Sequence, residues 1–140
     1  MKFELISLLG VQLDKEVYEV QVPTASGPIS IFPSHEPLVS IAVPGAITVR
    51  FKKGDSDNHL ELFAIGGGVV EVTKSGVKVL VDEADRSEDI VEAEAKAALE
   101  NALALKANAK DQVELEKASA LVDRHQVRLD VAGLRRRKRR

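Results

Sequence analysis

The sequence predicts an α+β chain divided by domain: an antiparallel β-sandwich or flattened barrel over residues 1–84, followed by a two-helix antiparallel hairpin over residues 85–140. Three observations predict it. Apolar residues recur in short, β-branched or alternating runs as far as Val81; after Asp82 the apolar period changes from two to 3.6; and alanine becomes dominant from that point. At 140 residues the chain is long enough for one good core with an appendage.

The strand-like runs are Phe3–Leu9, Val17–Val22, Ile29–Phe32, Ala46–Phe51, His59–Ile65, Val69–Val72 and Val77–Val81. Lys53–Asn58 reads as a polar hairpin loop, and Lys74-Ser75-Gly76 as a second turn. Gly66-Gly67-Gly68 lies between two strands. A phosphate cradle needs glycines that open onto a helix, so this run predicts a bulge or a close backbone approach. The stretch Gly27–Gly45 interleaves Pro28, Pro33, Pro37 and Pro44 with Ile29, Ile31, Phe32, Leu38, Val39, Ile41 and Val43. Proline lacks an N–H and pins φ, which predicts short edge strands joined by stiff turns and argues against a central strand. Such a segment presents a pre-shaped apolar rim, and a rigid rim loses little entropy on docking to a partner.

Beyond the junction, Ser87 is a plausible N-cap, with Glu88 and Asp89 favourable in the first turn of a helix running to about Lys106. Val91, Ala95, Ala98, Ala102 and Leu105 form its stripe, and Asn108-Ala109-Lys110 breaks it. Asp111 followed by Glu114 matches a capping box and starts a second helix. At about 100° per residue, Lys117, Arg124, Arg128 and Arg135 fall within about 20° of one line. Leu115, Ala118, Leu121, Val122, Leu129 and Ala132 flank this basic ridge on one side, and Val113, Ala120, Val127, Val131 and Leu134 on the other. A simple hairpin needs one apolar stripe. Two flanks leave open either a helix that docks on more than one surface or a second flank held against the β domain. Alanine buries little area, so the hairpin is expected to separate at modest cost.

With no cysteine, disulfides, Cys-ligated zinc and thiol chemistry are excluded. Glu4 interrupts the first apolar run, which argues against a signal peptide, and no run approaches the roughly 20 residues of a membrane helix. The net charge of −2 hides a split: RRRKRR at 135–140 takes six of the 20 basic residues, leaving 14 against 22 acidic ones, with acid concentrated around Asp82–Glu94. His35, His59 and His125 stand isolated in different elements, and no nucleophile–base pairing or metal-ligand spacing occurs. No catalysis, cofactor or metal is expected. The terminal basic run allows a rival reading, a nucleic-acid adaptor, although the β region lacks an aromatic stacking platform.

Four stretches in order, Ser26–Ile47 (SGPISIFPSHEPLVSIAVPGAI), Gly66–Val72 (GGGVVEV), Val77–Ile90 (VKVLVDEADRSEDI) and the basic RLDVAGLRRRKRR, together resemble the epsilon subunit of F-type ATP synthases over essentially the whole chain. That resemblance implies a non-catalytic rotor subunit whose β domain clasps the gamma shaft and rests on the c-ring, serving proton-driven ATP synthesis. Gly27, Pro28, Ile29, Ile31, Phe32, Pro33, Ser34 and His35 would then form the c-ring and gamma interface, with Pro28 and Ser30 standing where many members carry an acidic residue and a glycine. It further implies that the helices regulate the enzyme, inhibiting ATP hydrolysis when Lys117, Arg124, Arg128 and Arg135 meet the catalytic alpha/beta hexamer. Some members bind ATP at an I/L-D-x-x-R-A motif. Here Ile90–Ala95 carries Val91 for the aspartate and Glu94 for the arginine, so no ATP is expected there. The implied location is the cytoplasmic face of a bacterial plasma membrane, held peripherally through the c-ring.

Overall fold

A computed structural model describes residues 1–138, with side chains to Arg137; Arg139 and Arg140, the end of the basic run, lie outside the described residues. The strands are β1 (Lys2–Ser7), β2 (Gly10–Glu16), β3 (Glu19–Thr24), β4 (Gly27–Ile31), β5 (Leu38–Arg50), β6 (Glu61–Thr73), β7 (Gly76–Val81) and β8 (Ala84–Arg86), followed by helices α1 (Glu92–Ala107) and α2 (Gln112–Lys138). They hydrogen-bond in the order β2-β1-β7-β6-β5-β3-β4, with β8 added to β6. All pairs are antiparallel except β1 with β7.

One bent sheet makes two layers because β5 and β6 change partners halfway along. Their first pairing zone, Ala46–Val49 with Glu61–Ala64, carries β3, β4 and β8; the second, Leu38–Ala42 with Gly68–Val72, carries β7, β1 and β2. The corner between them is Val43–Pro44 opposite Gly66–Gly68. Gly67 has φ +104° there, and a Cβ on Gly68 would overlap the Leu80 carbonyl. The close approach expected of the triple glycine is therefore present, and it is what lets the sheet fold over. Phe3, Leu5, Val20, Val22, Ile31, Ile47, Val49, Phe63, Val70 and Val79 interleave between the layers and are fully or almost fully buried.

Several expectations change. The proline stretch is not confined to edges: β4 is an edge strand, but Leu38–Arg50 is a central strand with Pro44 inside it. The β3 pairing skips at that point, from Gln21↔Thr48 to Thr24↔Ala42, so the missing N–H of Pro44 falls where β5 bulges away from β3. The expected first strand ends early, at Ser7, and Gly10–Glu16 returns as β2, a strand hidden in the sequence by its polar residues. Two expected strands on either side of the glycines are one, β6. Ser87 does not cap α1: it opens a 3-10 turn, and α1 begins at Glu92 behind Val91, which offers no side-chain cap. Asp111 does cap α2, accepting from Glu114 N at 2.8 Å while Glu114 accepts from Lys110 N at 2.9 Å.

The two helices run antiparallel, Arg136 meeting Glu92 at 3.0 Å. α2 lies over the outer surface of the first layer and α1 packs on α2, where Leu62, Ala64 and Ile90 form a second core with Ala95, Val131 and Ala132. Val127 and Val131 from one expected flank and Leu129 and Ala132 from the other enter this same cluster. Val113 and Leu121, nearer the start of α2, remain exposed. Both flanks of the C-terminal half of α2 are therefore used at once, in the docked arrangement.

Candidate functional site: a proline rim, a basic ridge and an uncovered sheet face

The rim begins at Gly27, whose φ of +109° closes the turn from β3 into β4. Along β4, Ile31 is fully buried and Ile29 packs partly on the core, so these two of the expected interface residues serve the fold. Pro28, Phe32, Pro33, Ser34 and His35 are exposed. Phe32 stacks edge-on against Tyr18 at 5.6 Å. His35 N donates to the Phe32 carbonyl at 3.2 Å, with Pro33 and Ser34 between them and Ser34 at φ +70°. Proline second and a positive φ third is the arrangement of a type II turn. The His35 ring turns back on its own chain, Nδ1 donating to the Glu36 carbonyl at 2.7 Å. The rim thus ties the edge strand of the first layer to the start of β5 in the second.

The basic ridge faces inward. Arg124 Nε lies 2.6 Å from Glu83 Oε2, and Arg128 Nε lies 3.3 Å from Asp85 Oδ2. Arg135 Nη1 donates to the Ser87 carbonyl at 2.6 Å. Lys117 remains exposed at the mouth of a cleft bounded by Pro44, Gly66, Asp82, Glu83 and Arg124. The acidic junction noted in the sequence therefore supplies the counter-charges of the ridge. Buried Ser87, expected as a cap, offers its backbone to Arg135. Arg135 and Arg136 are occupied by Ser87 and Glu92, which takes two of the six residues from the continuous basic run on which the nucleic-acid reading rested.

Sequence reasoning missed the third surface. Register places Val11, Ile6, Leu80, Val69 and Ile41 side by side across β2, β1, β7, β6 and β5, on the outer side of the second layer. Val11 is 61% exposed and Ile41 71%, and the turn residues Leu8 and Leu9 continue the row at 81% and 94%. A contiguous apolar row of this kind marks an interaction surface. The neighbouring row, Glu71, Lys78, Glu4 and Asp14, is charged, so the apolar row has a polar border. The signal was present as doubled apolar positions, Val69-Val70 and Leu80-Val81, where a half-exposed strand should alternate.

Residues 1–87 match the family profile described as "ATP synthase, Delta/Epsilon chain, beta-sandwich domain". A protein of Herpetosiphon aurantiacus named ATP synthase epsilon chain is 34% identical over 136 residues, covering 97% of this chain and 96% of its own. One of Neisseria meningitidis with the same name is 36% identical over 118 residues, 84% of this chain and 82% of its own. Among solved structures, a chain of the Euglena gracilis mitochondrial ATP synthase (OSCP/F1/c-ring) superposes with a TM-score of 0.73 at 24% identity, covering 89% of this chain and 76% of that one. A chain of the Tetrahymena thermophila mitochondrial ATP synthase central stalk and c-ring does so at 0.61 and 15% identity, covering 94% and 96%. At these identities the superpositions speak to the fold.

Proposed function

This chain belongs to the ATP synthase delta/epsilon-chain family, and from that premise we propose that it is the epsilon chain of a proton-translocating ATP synthase: a non-catalytic central-stalk subunit that links the gamma shaft to the c-ring and restrains ATP hydrolysis through its helices. The observation that carries the reading is the unequal treatment of the sheet's outer surfaces. One is covered by the chain's own helices, and the other leaves Ile6, Val11, Ile41, Val69 and Leu80 in a row without a cover among the described residues. A rotor subunit needs a permanent apolar seat for its shaft, and the row has the composition of one. The rim Pro28–His35, stiffened by its prolines and its turn, suits contact with the c-ring loops.

In the docked state the ridge arginines are held by Glu83, Asp85 and the Ser87 carbonyl. Regulation by Lys117, Arg124, Arg128 and Arg135 then requires the hairpin to leave the β domain before it reaches the catalytic subunits. Among the described residues no helix is long and apolar enough to cross a membrane, which agrees with peripheral attachment through the c-ring at the cytoplasmic face. The degenerate Ile90–Ala95 segment leaves ATP without an expected site.

The experiment is reconstitution. The purified chain should co-elute with gamma and the catalytic subunits, and truncation after Asp111 should raise ATP hydrolysis by the assembled complex. Failure to co-elute would sink the rotor assignment. Unchanged hydrolysis on truncation would remove the regulatory part alone.

A further inference from the structure

The cleft under the start of α2 opens into the groove that holds the bare row. The groove, about 750 Å³, is lined by Ile6, Leu8, Ile41, Val69 and Leu80, and the cleft, about 510 Å³, by Lys117, Ala120, Leu121, Asp123 and Arg124. Pro44, Gly66 and Asp82 line both. Gly66 carries no side chain, and the space where its Cβ would stand is open, so the way over the corner is clear.

Lys117, Ala120, Leu121 and Arg124 follow at i, i+3, i+4 and i+7, which turns all four to one side of the helix. This wall differs from the docked half of α2. Lys117 and Ala120 are exposed and Leu121 is 36% exposed, whereas Val131 and Ala132 are buried. Docking therefore builds a partly apolar wall that the chain does not itself cover. Within the cleft, Glu83 and Arg124 satisfy each other at 2.6 Å. Asp82, Asp123 and Lys117 make no ion pair among the described residues. Two carboxylates against one ammonium leave the cleft acidic.

We propose that the docked α2 is the far wall of the shaft's seat: an aliphatic segment of gamma that lies on the bare row continues over the Pro44–Gly66 corner into the cleft, where a basic side chain on it meets Asp82 and Asp123.

This rests on the assignment of the row to gamma and adds a consequence to it. The far wall exists only while the hairpin is docked, so gamma binds the docked chain more tightly than the released one. Coupling of this kind is reciprocal: bound gamma holds the hairpin down by the same factor. The shaft then reads the state of the hairpin through its own seat.

The test uses the full chain and purified gamma. Ala120→Lys/Asp123→Lys reverses the charge of the wall at two exposed positions that hold no docked contact, and it should weaken gamma binding by about tenfold, within the usual range of coupling between sites. Because the chain has no cysteine, labels at Lys53→Cys in the β5–β6 loop and Lys110→Cys between the helices report docking by energy transfer. The free variant should keep the parent's signal, and gamma should leave the parent's transfer high. If Ala120→Lys/Asp123→Lys itself releases the hairpin, Asp123→Asn decides, with a weakening of about threefold expected from one exposed ion pair. Unchanged affinity in a docked variant overturns the proposal, and so does a gamma-induced fall in the parent's energy transfer. A parent that ignores gamma fails the rotor assignment instead, which separates the two failures.

Discussion

The outer surface of the first layer and that of the second are built from the same strands, β5 and β6, yet the chain handles them in opposite ways. Over Ala46, Leu62 and Ala64 it lays α2. Over Ile41, Val69 and Leu80, further along the same sheet, it lays nothing among the described residues. The side chains differ accordingly. The covered contact mixes Ala46, Ala64, Ala95 and Ala132 with Leu62, Ile90, Val127, Leu129, Val131 and Leu134, and is bordered by the pairs Arg124–Glu83 and Arg128–Asp85. Alanines bury little apolar area, and partly exposed ion pairs are worth about 0–1 kcal/mol each. The bare surface instead offers five branched aliphatic side chains in register. A weak, charge-tuned contact suits an element that leaves and returns, whereas a broad aliphatic row suits a partner that stays.

The sharpest way to break this contrast is to charge the bare surface. Ile41→Asp with Val69→Asp removes two adjacent anchors and places two carboxylates where the partner must dry the surface. Binding to gamma should weaken by about a hundredfold or more, which corresponds to roughly 2–3 kcal/mol from two truncated anchors. Both sites are exposed, 71% and 42%, so the thermal midpoint of the free chain should hardly move. Undiminished gamma binding would show that the row is not the seat.

The corner between the layers comes next. Gly68→Ala sets a Cβ against the Leu80 carbonyl, which is backbone and has little room to yield. About 1–3 kcal/mol of destabilisation is expected from overpacking, visible in denaturant unfolding, and it should reduce gamma binding only in proportion to unfolding. Gly66→Ala is the control, since a Cβ there meets open space. Equal effects at the two positions would mean that the close approach does not shape the corner.

These residues also show where sequence reading stops. The hairpin was legible because a change of period, an alanine stripe and the Asp111–Glu114 cap are all local. The glycine corner was legible as a bulge for the same reason. Which strands lie side by side was not. The parallel β1–β7 pair joins Lys2 to Gly76, a contact that no window on the sequence contains. Pro44 was assigned to an edge because proline cannot donate. Its place in a central strand depends on a skip in β3 pairing that only the folded register reveals. The exposed row was invisible for a related reason: Val69 and Val70 look equally apolar, and only pairing decides which faces the core. Likewise, the ridge arginines could be aligned on a helix, but their partners Glu83 and Asp85 lie across a tertiary contact.

A smaller effect is expected at the covered surface. Arg128→Ala leaves Asp85 without its partner, yet Asp85 is partly exposed and water can reach it. Docking should weaken by about 1 kcal/mol, read as faster hydrogen exchange in α2 with unchanged exchange in β1 and β7. If β1 and β7 exchange faster to the same degree, the hairpin and the sandwich open as one unit and the contrast between the two surfaces fails.

The smallest effect tests the rim that joins the layers. Ser34 holds φ +70° in the turn between Phe32 and His35. A side chain in that region costs about 1 kcal/mol, which glycine avoids, although glycine also loosens the unfolded chain and takes back part of the gain. Ser34→Gly should therefore stabilise the chain by about 0.5 kcal/mol, within reach of careful urea titrations. Ser34→Val should do the reverse by more, because a β-branched residue fits a positive φ poorly. The side chain itself points to no required partner, so if the rim acts through its backbone shape, Ser34→Gly will keep both gamma and c-ring contact. A loss of assembly without a loss of stability would instead assign the hydroxyl a contact of its own and move the rim from a passive brace to a recognition element.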